Sequence, residues 1–277
     1  MDLICAVYSH TDFLSILKIQ TDYIKKIKDI KIVLFINETA KNFDLDYLFN
    51  SYDNVYFYDD TYPYAHRLSE CIDNVNSKYI LFIHDIDILI SYNDVMFKKL
   101  FNIVEEQDID RLDLKIFGGW EGETKNLVFT LYKSDDEKIF FDEKTTLIRQ
   151  TNTNLFIYNV NPSIWKTTAF KEVHSEFIDR DYRNIENGDV QGYCTKYKIY
   201  KLSTEDYIES GYFTCAKFFI YLHITHGGGL LPNTNLFGHG NFKTEFGQRF
   251  ENLSDEYIKI IEKYKLKETK HGIGRIL

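Results

Sequence analysis

Two aspartates one residue apart, Asp85 and Asp87, interrupt an otherwise apolar run, YILFIHDIDILI. On an extended backbone, residues i and i+2 project to one face, so a strand that ends here can turn both carboxylates toward a common ion. Two negative charges beside Ile86, Ile88, Leu89 and Ile90 are costly to bury unless paired, hydrated or metal-bound. Oxygen donors of this kind suit a hard divalent cation. One of Asp85 and Asp87 would hold it directly, and the other would do so directly or through an oriented water. The same residues could instead form a charged turn that solvates an exposed strand end.

The elements that must carry this pair read as alternating strands and helices. LICAVY (Leu3 to Tyr8) is a short apolar run, and after it Phe13, Leu17, Ile24 and Ile27 make a helical stripe. A second strand is expected around Ile32 to Ile36 and a third around Val55 to Tyr58. AHRLSECIDNV is the helix that leads into KYILFIHD. Nearly continuous apolar strands need cover on both faces, so the pattern predicts an α/β sheet flanked by helices, with functional groups at the C-terminal strand ends. No G-x-G-x-x-G follows the first strand, which removes the main support for ordinary dinucleotide binding. Gly227, Gly228 and Gly229 lack a following G-K-[ST] and are not a P-loop.

Beyond residue 104 the pattern loosens, with candidate strands at LVFTLY and NLFIYNV and the start of a helix at Ser163 to Phe170. The segment IDRDYRNIENGDVQGYC could form the acceptor side of a cleft or a solvated connection. CAKFFIYLHITHGGGLLPN reads as a strand entering a glycine-rich loop. LSDEYIKIIEKYKL reads as a terminal helix capped by Ser254, with Leu253 against Ile258, serving the fold or an oligomer contact. With no repeat and no Pro-rich or Ser-rich linker, residues 1–277 are expected to form a single catalytic domain. Residues 1–103 would make a nucleotide-binding half, 104–240 an acceptor and catalytic half, and 241–277 a helical extension.

Composition narrows the function classes. The chain has 277 residues, 44% hydrophobic and 27% charged, which argues against general disorder. Its 33 basic and 42 acidic residues give a net charge of -9, which argues against nucleic acid as the main partner. No apolar run is long enough to span a bilayer and no signal peptide is legible, so a cytoplasmic protein is expected, with peripheral membrane association left open. Cys5, Cys71, Cys194 and Cys215 lack metal or redox spacing and are expected to be reduced thiols. The 21 tyrosines and 22 phenylalanines could pack a core or line a sugar-binding cleft.

Asp-Ile-Asp at an α/β strand end resembles the acidic metal motif of GT-A glycosyltransferases, and the preceding Leu81, Phe82, Ile83 and His84 strengthen the likeness. The resemblance runs in order over about the first 230 residues: α/β segment, H-D-I-D, acidic acceptor loop, late histidine. It implies a GT-A-like, Rossmann-related sheet and Mn2+- or Mg2+-dependent transfer of a sugar from a nucleoside diphosphate, UDP-sugar in the first instance, to a glycan or other acceptor hydroxyl. His226, just before the glycine-rich loop, becomes the preferred third metal ligand, against a structural histidine. NPSIWKTTAFKEVHSEF followed by IENGDVQGYC is similar to the acceptor region of inverting members, although Glu186 and Asp189 are separated by Asn187 and Gly188. Asp189 is the first candidate for general base, and Glu186 is the alternative base or an acceptor-positioning group. Inversion is the expected outcome, with retention left open.

The resemblance also draws Tyr8 and Ser9 toward the base or ribose, with Asn37 and Asp59 or Asp60 as further edge candidates. Arg67 could face the diphosphate, where its directed donors suit phosphate, or as a helical arginine meet solvent or an acidic surface neighbour. Trp120 and Trp165 could wall a sugar ring, with ordinary packing the first reading for Trp165. The competing readings are a metal-dependent phosphohydrolase or nucleotidyltransferase using the same aspartates, and a non-enzymatic carbohydrate-binding protein.

Overall fold

The computed structural model describes residues 1–116, 137–151, 157–182, 184–204, 206–210, 213–223 and the short stretches 259–260, 263–264, 268–269 and 272–273. Its spine is a mixed sheet with strand order β3-β2-β1-β4-β9-β6-β10-β8-β7. Strands β1 (Leu3–Tyr8), β2 (Lys31–Asn37), β3 (Asn54–Tyr58) and β4 (Tyr79–His84) are parallel to one another. Strand β9 (Ser163–Lys166) runs antiparallel to both β4 and β6 (Arg111–Ile116), and β10 (Ile199–Thr204) returns parallel to β6. Beyond β10 lie β8 (Thr145–Arg149) and β7 (Lys138–Phe140), while the hairpin of β11 (Tyr207–Ser210) and β12 (Phe213–Ala216) joins β6. Strand β5 (Asp87–Tyr92) leaves this sheet and pairs with β13 (Phe219–His223).

Period-two alternation along β1 explains the layers. Leu3, Cys5 and Val7 enter one hydrophobic core, with residues from α1 (Leu14–Ile24) and α4 (Asp94–Glu106). Ile4, Ala6 and Tyr8 enter the other, with α3 (Tyr64–Ile72), α5 (Thr167–Glu176) and α6 (Gly188–Cys194). A sheet with cover on both faces is what the apolar strands require, since each buried aliphatic or aromatic side chain contributes roughly 1.5–3 kcal/mol. The short α2 (Asp46–Phe49) lies between β2 and β3. All four cysteines are free and buried. Among the described residues, no helix is long and apolar enough to cross a membrane.

The C-terminal half departs from the sequence expectations. Ser163–Lys166 is a strand, and the helix begins only at Thr167. The open edges of β4 and β6 satisfy its backbone, and its β-branched and aromatic pair, Ile164 and Trp165, is buried. Ile157–Val160, expected within a strand, is irregular, and the carbonyls of Ile157 and Asn159 accept from the Arg111 guanidinium. Helix α6 forms where a solvated connection was one of the two readings. LVFTLY, the glycine-rich loop and the residues cited for capping the terminal helix lie outside the described residues. Of that helix, the turns at Lys259, Ile260, Lys263 and Tyr264 are helical, and the Tyr264 hydroxyl donates to Asp22 Oδ2 on α1 at 2.5 Å.

Candidate active site

The chain passes from β1 to β2 and β3 on one side and then places β4 on the other side of β1. At such a reversal, open α/β sheets bind their ligands in the crevice outside the carboxyl ends of the strands, which here are the ends of β1 and β4. Tyr8 stands opposite His84 in register, and the Asp85 N–H donates to the Tyr8 carbonyl at 2.9 Å. Ser9 and Asp85 therefore face each other across the crevice, and the Ser9 hydroxyl donates to Asp85 Oδ2 at 2.6 Å. Ser9 is held in turn by its N–H to the Phe35 carbonyl and by the Tyr58 hydroxyl, which donates to the Ser9 carbonyl.

Strand β4 ends at His84, Asp85 and Ile86 form a turn, and Asp87 opens β5. Both carboxylates are buried, at 2% exposure each. Burial pushes the Asp85 carboxyl up to about 7; the Ser9 hydrogen bond works against this shift and the neighbouring Asp87 charge adds to it. The second aspartate is positioned by Gln20 on α1. Its amide donates to the Asp87 carbonyl at 2.8 Å and accepts from the Leu89 N–H at 3.2 Å. Asp87 is the register partner of His223, the last residue of β13.

Two buried carboxylates are oxygen donors of the kind that a hard cation takes. Among the described residues, no group of three or more His, Cys, Asp or Glu side chains is placed to hold a metal. His226, the expected third ligand, lies outside the described residues, as does Trp120.

The remaining crevice residues brace the strand ends. Tyr8 is stacked on Tyr58 with ring centroids 5.2 Å apart and meets Tyr64 edge-on. Asn37 is fully buried, and its amide donates to Thr11 Oγ1 and Asp60 Oδ2 while its oxygen accepts from the Thr11 N–H. His10 Nε2 lies 3.1 Å from Asp60 Oδ2. The Asp59 carboxylate accepts from the Thr61 N–H. Arg67 donates to the carbonyls of Tyr62 and Asp60, and its guanidinium lies over Tyr58.

Glu186 and Asp189, close in sequence, have different surroundings. Asp189 is exposed in the first turn of α6 and ion-paired with Arg180. Glu186 is partly buried, its Oε1 accepts from the Val160 N–H at 2.8 Å, and burial raises its pKa. Lys115 on β6 has Asp113, Glu186 and Asp87 among the charges that favour its protonated form. Burial lowers the pKa of Lys115.

A polar stripe missed in the sequence leads into this region. Arg111, Asp113 and Lys115 alternate along one face of β6, and Lys201 of β10 is the register partner of Asp113. Arg111 and Asp113 are fully buried. Asn159 donates to Asp113 Oδ2 at 2.6 Å and accepts from Arg111 Nη2 at 2.8 Å, and the Lys115 N–H donates to Asp113 Oδ1. The Lys201 ammonium is 3.8 Å from Asp113 Oδ2, and burial pulls its pKa down to about 8. The signal was the alternation in RLDLKI, whose charged positions look solvent-facing until the sheet covers both faces. Trp165, suggested as a sugar wall, is 1% exposed and lies under the Arg111 guanidinium. That is the packing role expected for it first, because a ring enclosed on a central strand cannot meet a ligand. An exposed aromatic residue near the acidic turn, Tyr182, went unnoticed in the sequence.

No protein-family model matches the chain, and no curated protein matches it in sequence. Several solved structures share its outline. TarS of S. aureus is 13% identical over 96% of this chain and 43% of its own, with a TM-score of 0.49, so this chain spans less than half of that protein. A shorter TarS, residues 1–349 in complex with UDP-GlcNAc, gives 13% identity over 96% of this chain and 72% of its own, TM-score 0.49. The 4-diphosphocytidyl-2C-methyl-D-erythritol synthase of Anaerococcus prevotii gives 13% over 73% and 89%, TM-score 0.44. At these values the likenesses assign neither a substrate nor a reaction. The class that the fold defines is an α/β protein with a central mixed sheet between helices and a buried polar cluster at its switch point.

Proposed function

We propose that the chain is a metal-dependent glycosyltransferase that moves a sugar from a nucleoside diphosphate, UDP in the first instance, to an acceptor hydroxyl with inversion. The observation that carries this reading is the buried pair Asp85 and Asp87 at the switch point, with Ser9 locked onto Asp85 from the neighbouring strand. Burying two carboxylates at a ligand-binding crevice is costly, and a bound cation offsets that cost. Asp85 and Asp87 are the ligands, with His226 as the third donor. A bound Mg2+ or Mn2+ would supply positive charge to the diphosphate oxygens as the leaving group departs.

Ser9, Asn37, Tyr8 and Arg67 form the nucleotide side of the crevice. Ser9 orients Asp85, Asn37 and Tyr8 fix the ends of β2 and β1, and Arg67 holds the loop at Asp60 and Tyr62. On the acceptor side Glu186 is the general base. The acceptor oxygen bonds to the anomeric carbon as that carbon's bond to the diphosphate breaks with its electron pair, and the hydroxyl proton passes to Glu186. A carboxylate raised in pKa by burial suits proton abstraction near neutrality better than one already held by a guanidinium. Asp189 therefore acts as a positioning residue that fixes Arg180 and the segment before Glu186.

The test is a panel of UDP- and GDP-sugars with Mn2+ or Mg2+, with and without sugar acceptors, read by mass spectrometry of nucleotide and sugar products. Donor-specific release of nucleoside diphosphate, lost on chelation and reduced about 100-fold or more in Asp87→Ala, is expected. No turnover and no metal-dependent donor binding across the panel would overturn the assignment for those donor classes.

A further inference from the structure

Tyr182 is the exposed aromatic side chain nearest in character to a ligand platform in this region. It is 40% exposed, yet its ring is not loose. It meets Tyr64 edge-on at 5.2 Å with an interplanar angle of 90°, and it lies 5.6 Å from the ring of His84, the residue before Asp85. Its phenol is within electrostatic range of Asp87, Glu186 and Asp85. The ring thus lies beside the residue that precedes the acidic turn, and the candidate base follows it in the same segment.

The segment that carries Tyr182 is pinned on both sides. Before it, the Ala65 N–H of α3 donates to the Arg180 carbonyl at 3.0 Å, and Arg180 pairs with Asp189. After it, the Ile185 N–H donates to the Asp181 carbonyl, Glu186 takes the Val160 N–H, and the Gln191 amide donates to the Glu186 carbonyl. A partly exposed ring fixed in this way has little conformational entropy left to lose on contact with a ligand.

The chemistry around the ring selects the ligand. The Glu186 carboxylate repels an anionic sugar but accepts a hydroxyl hydrogen bond, while the phenol offers an apolar face with a negative quadrupole for C–H groups. A neutral polyhydroxylated ring satisfies both surfaces. Resting on the glycosyl-transfer reading, we propose that Tyr182 is the platform for the acceptor's pyranose ring, holding its C–H face so that one hydroxyl reaches Glu186. The acceptor class is then a neutral sugar and not a charged one.

The test uses the full chain and saturation-transfer NMR with three neutral probes: the methyl glycosides of glucose, galactose and N-acetylglucosamine. Glucuronic acid is the charged comparison, and Mg2+ is present throughout. At least one neutral glycoside should bind, with affinity weakened about five- to tenfold in Tyr182→Ala and restored in Tyr182→Phe, while glucuronic acid binds more weakly. Circular dichroism of each variant checks that the fold is retained. Binding equal in wild type and Tyr182→Ala, or no binding of any neutral glycoside, overturns the subsite. Calorimetry of UDP-sugars with Mg2+ separates the two ideas. Donor binding without Tyr182-dependent glycoside binding overturns the subsite alone, whereas glycoside binding without donor binding keeps the subsite as a sugar site and overturns the transferase reading.

Discussion

The Ser9 hydroxyl donates to Asp85 Oδ2 at 2.6 Å across the carboxyl ends of two adjacent parallel strands. This bond ties the first strand, on the nucleotide side, to the acidic turn, and it favours the charged carboxylate against its burial. Ser9→Ala removes the donor without adding bulk. Mg2+ or Mn2+ affinity, measured by calorimetry, should weaken by about tenfold, as for other groups that orient a metal ligand. An unchanged affinity would mean that Asp85 is not a ligand.

Gln20 is a positioning residue, because both of its amide contacts go to the backbone of β5 at Asp87 and Leu89. Gln20→Leu leaves a buried carbonyl and a buried N–H unmatched, at about 1–3 kcal/mol each. Urea unfolding should report that loss. Donor turnover should fall further than in Lys78→Ala, which removes an exposed ion pair to Glu105 at the amino end of β4, the opposite end of that strand from the acidic turn.

The base assignment separates two carboxylates in one loop. Glu186→Gln should lower kcat by about 10²- to 10⁴-fold with little change in donor KM. Asp189→Asn should keep most of kcat and act through the Arg180 contact. The reverse ranking would move the base to Asp189.

Arg111 and Asp113 lie together in the sheet without exposure, and Asn159 bridges them. Arg111→Met strands the Asp113 carboxylate and should cost about 3–5 kcal/mol in equilibrium unfolding. The double variant Arg111→Met with Asp113→Leu should recover part of that loss. A purely additive pair would show that the two charges do not depend on each other.

His174 sets an acid limit on stability. Its Nδ1 lies 2.7 Å from the Phe170 carbonyl, so that nitrogen carries the proton, and Nε2 accepts from the Tyr158 hydroxyl at 2.9 Å. The neutral ring is thereby fixed, and burial lowers its pKa to about 4. The unfolded chain takes up this proton from about pH 6.5 downward and the folded chain only near 4, so stability rises with pH across that window and is lost on acidification. Unfolding titrations of wild type and His174→Phe should show the variant less stable at pH 7.5, with the gap closing as pH falls from 6.5 to 4.

The first half of the fold was legible because each of its strands is a short apolar run bounded by polar residues, as in LICAVY and YILFIH. A buried parallel strand needs no other signal. The acidic turn was legible for the converse reason, two charges where apolar residues were due. The second half hid its strands. RLDLKI carries three charges whose partners stand far along the chain, such as Asn159, 48 residues from Arg111. SIWK is only four residues long, and its strand character comes from the two edges it fills. Tyr182 was one tyrosine among 21 in the sequence, and its placement beside the acidic turn depends on Tyr64 and His84 from other elements.

Strand β9 has a consequence for how the protein is made. The four parallel strands are complete once His84 has been synthesised, but the free edge of β4 waits for Ser163–Lys166. During that interval of about 80 residues, at roughly 5–20 residues per second, the nascent sheet presents an unpaired apolar edge for several seconds. A fragment ending near residue 103 would keep that edge permanently. Such a fragment should aggregate or recruit chaperones, whereas chains extended past Lys166 should be released soluble.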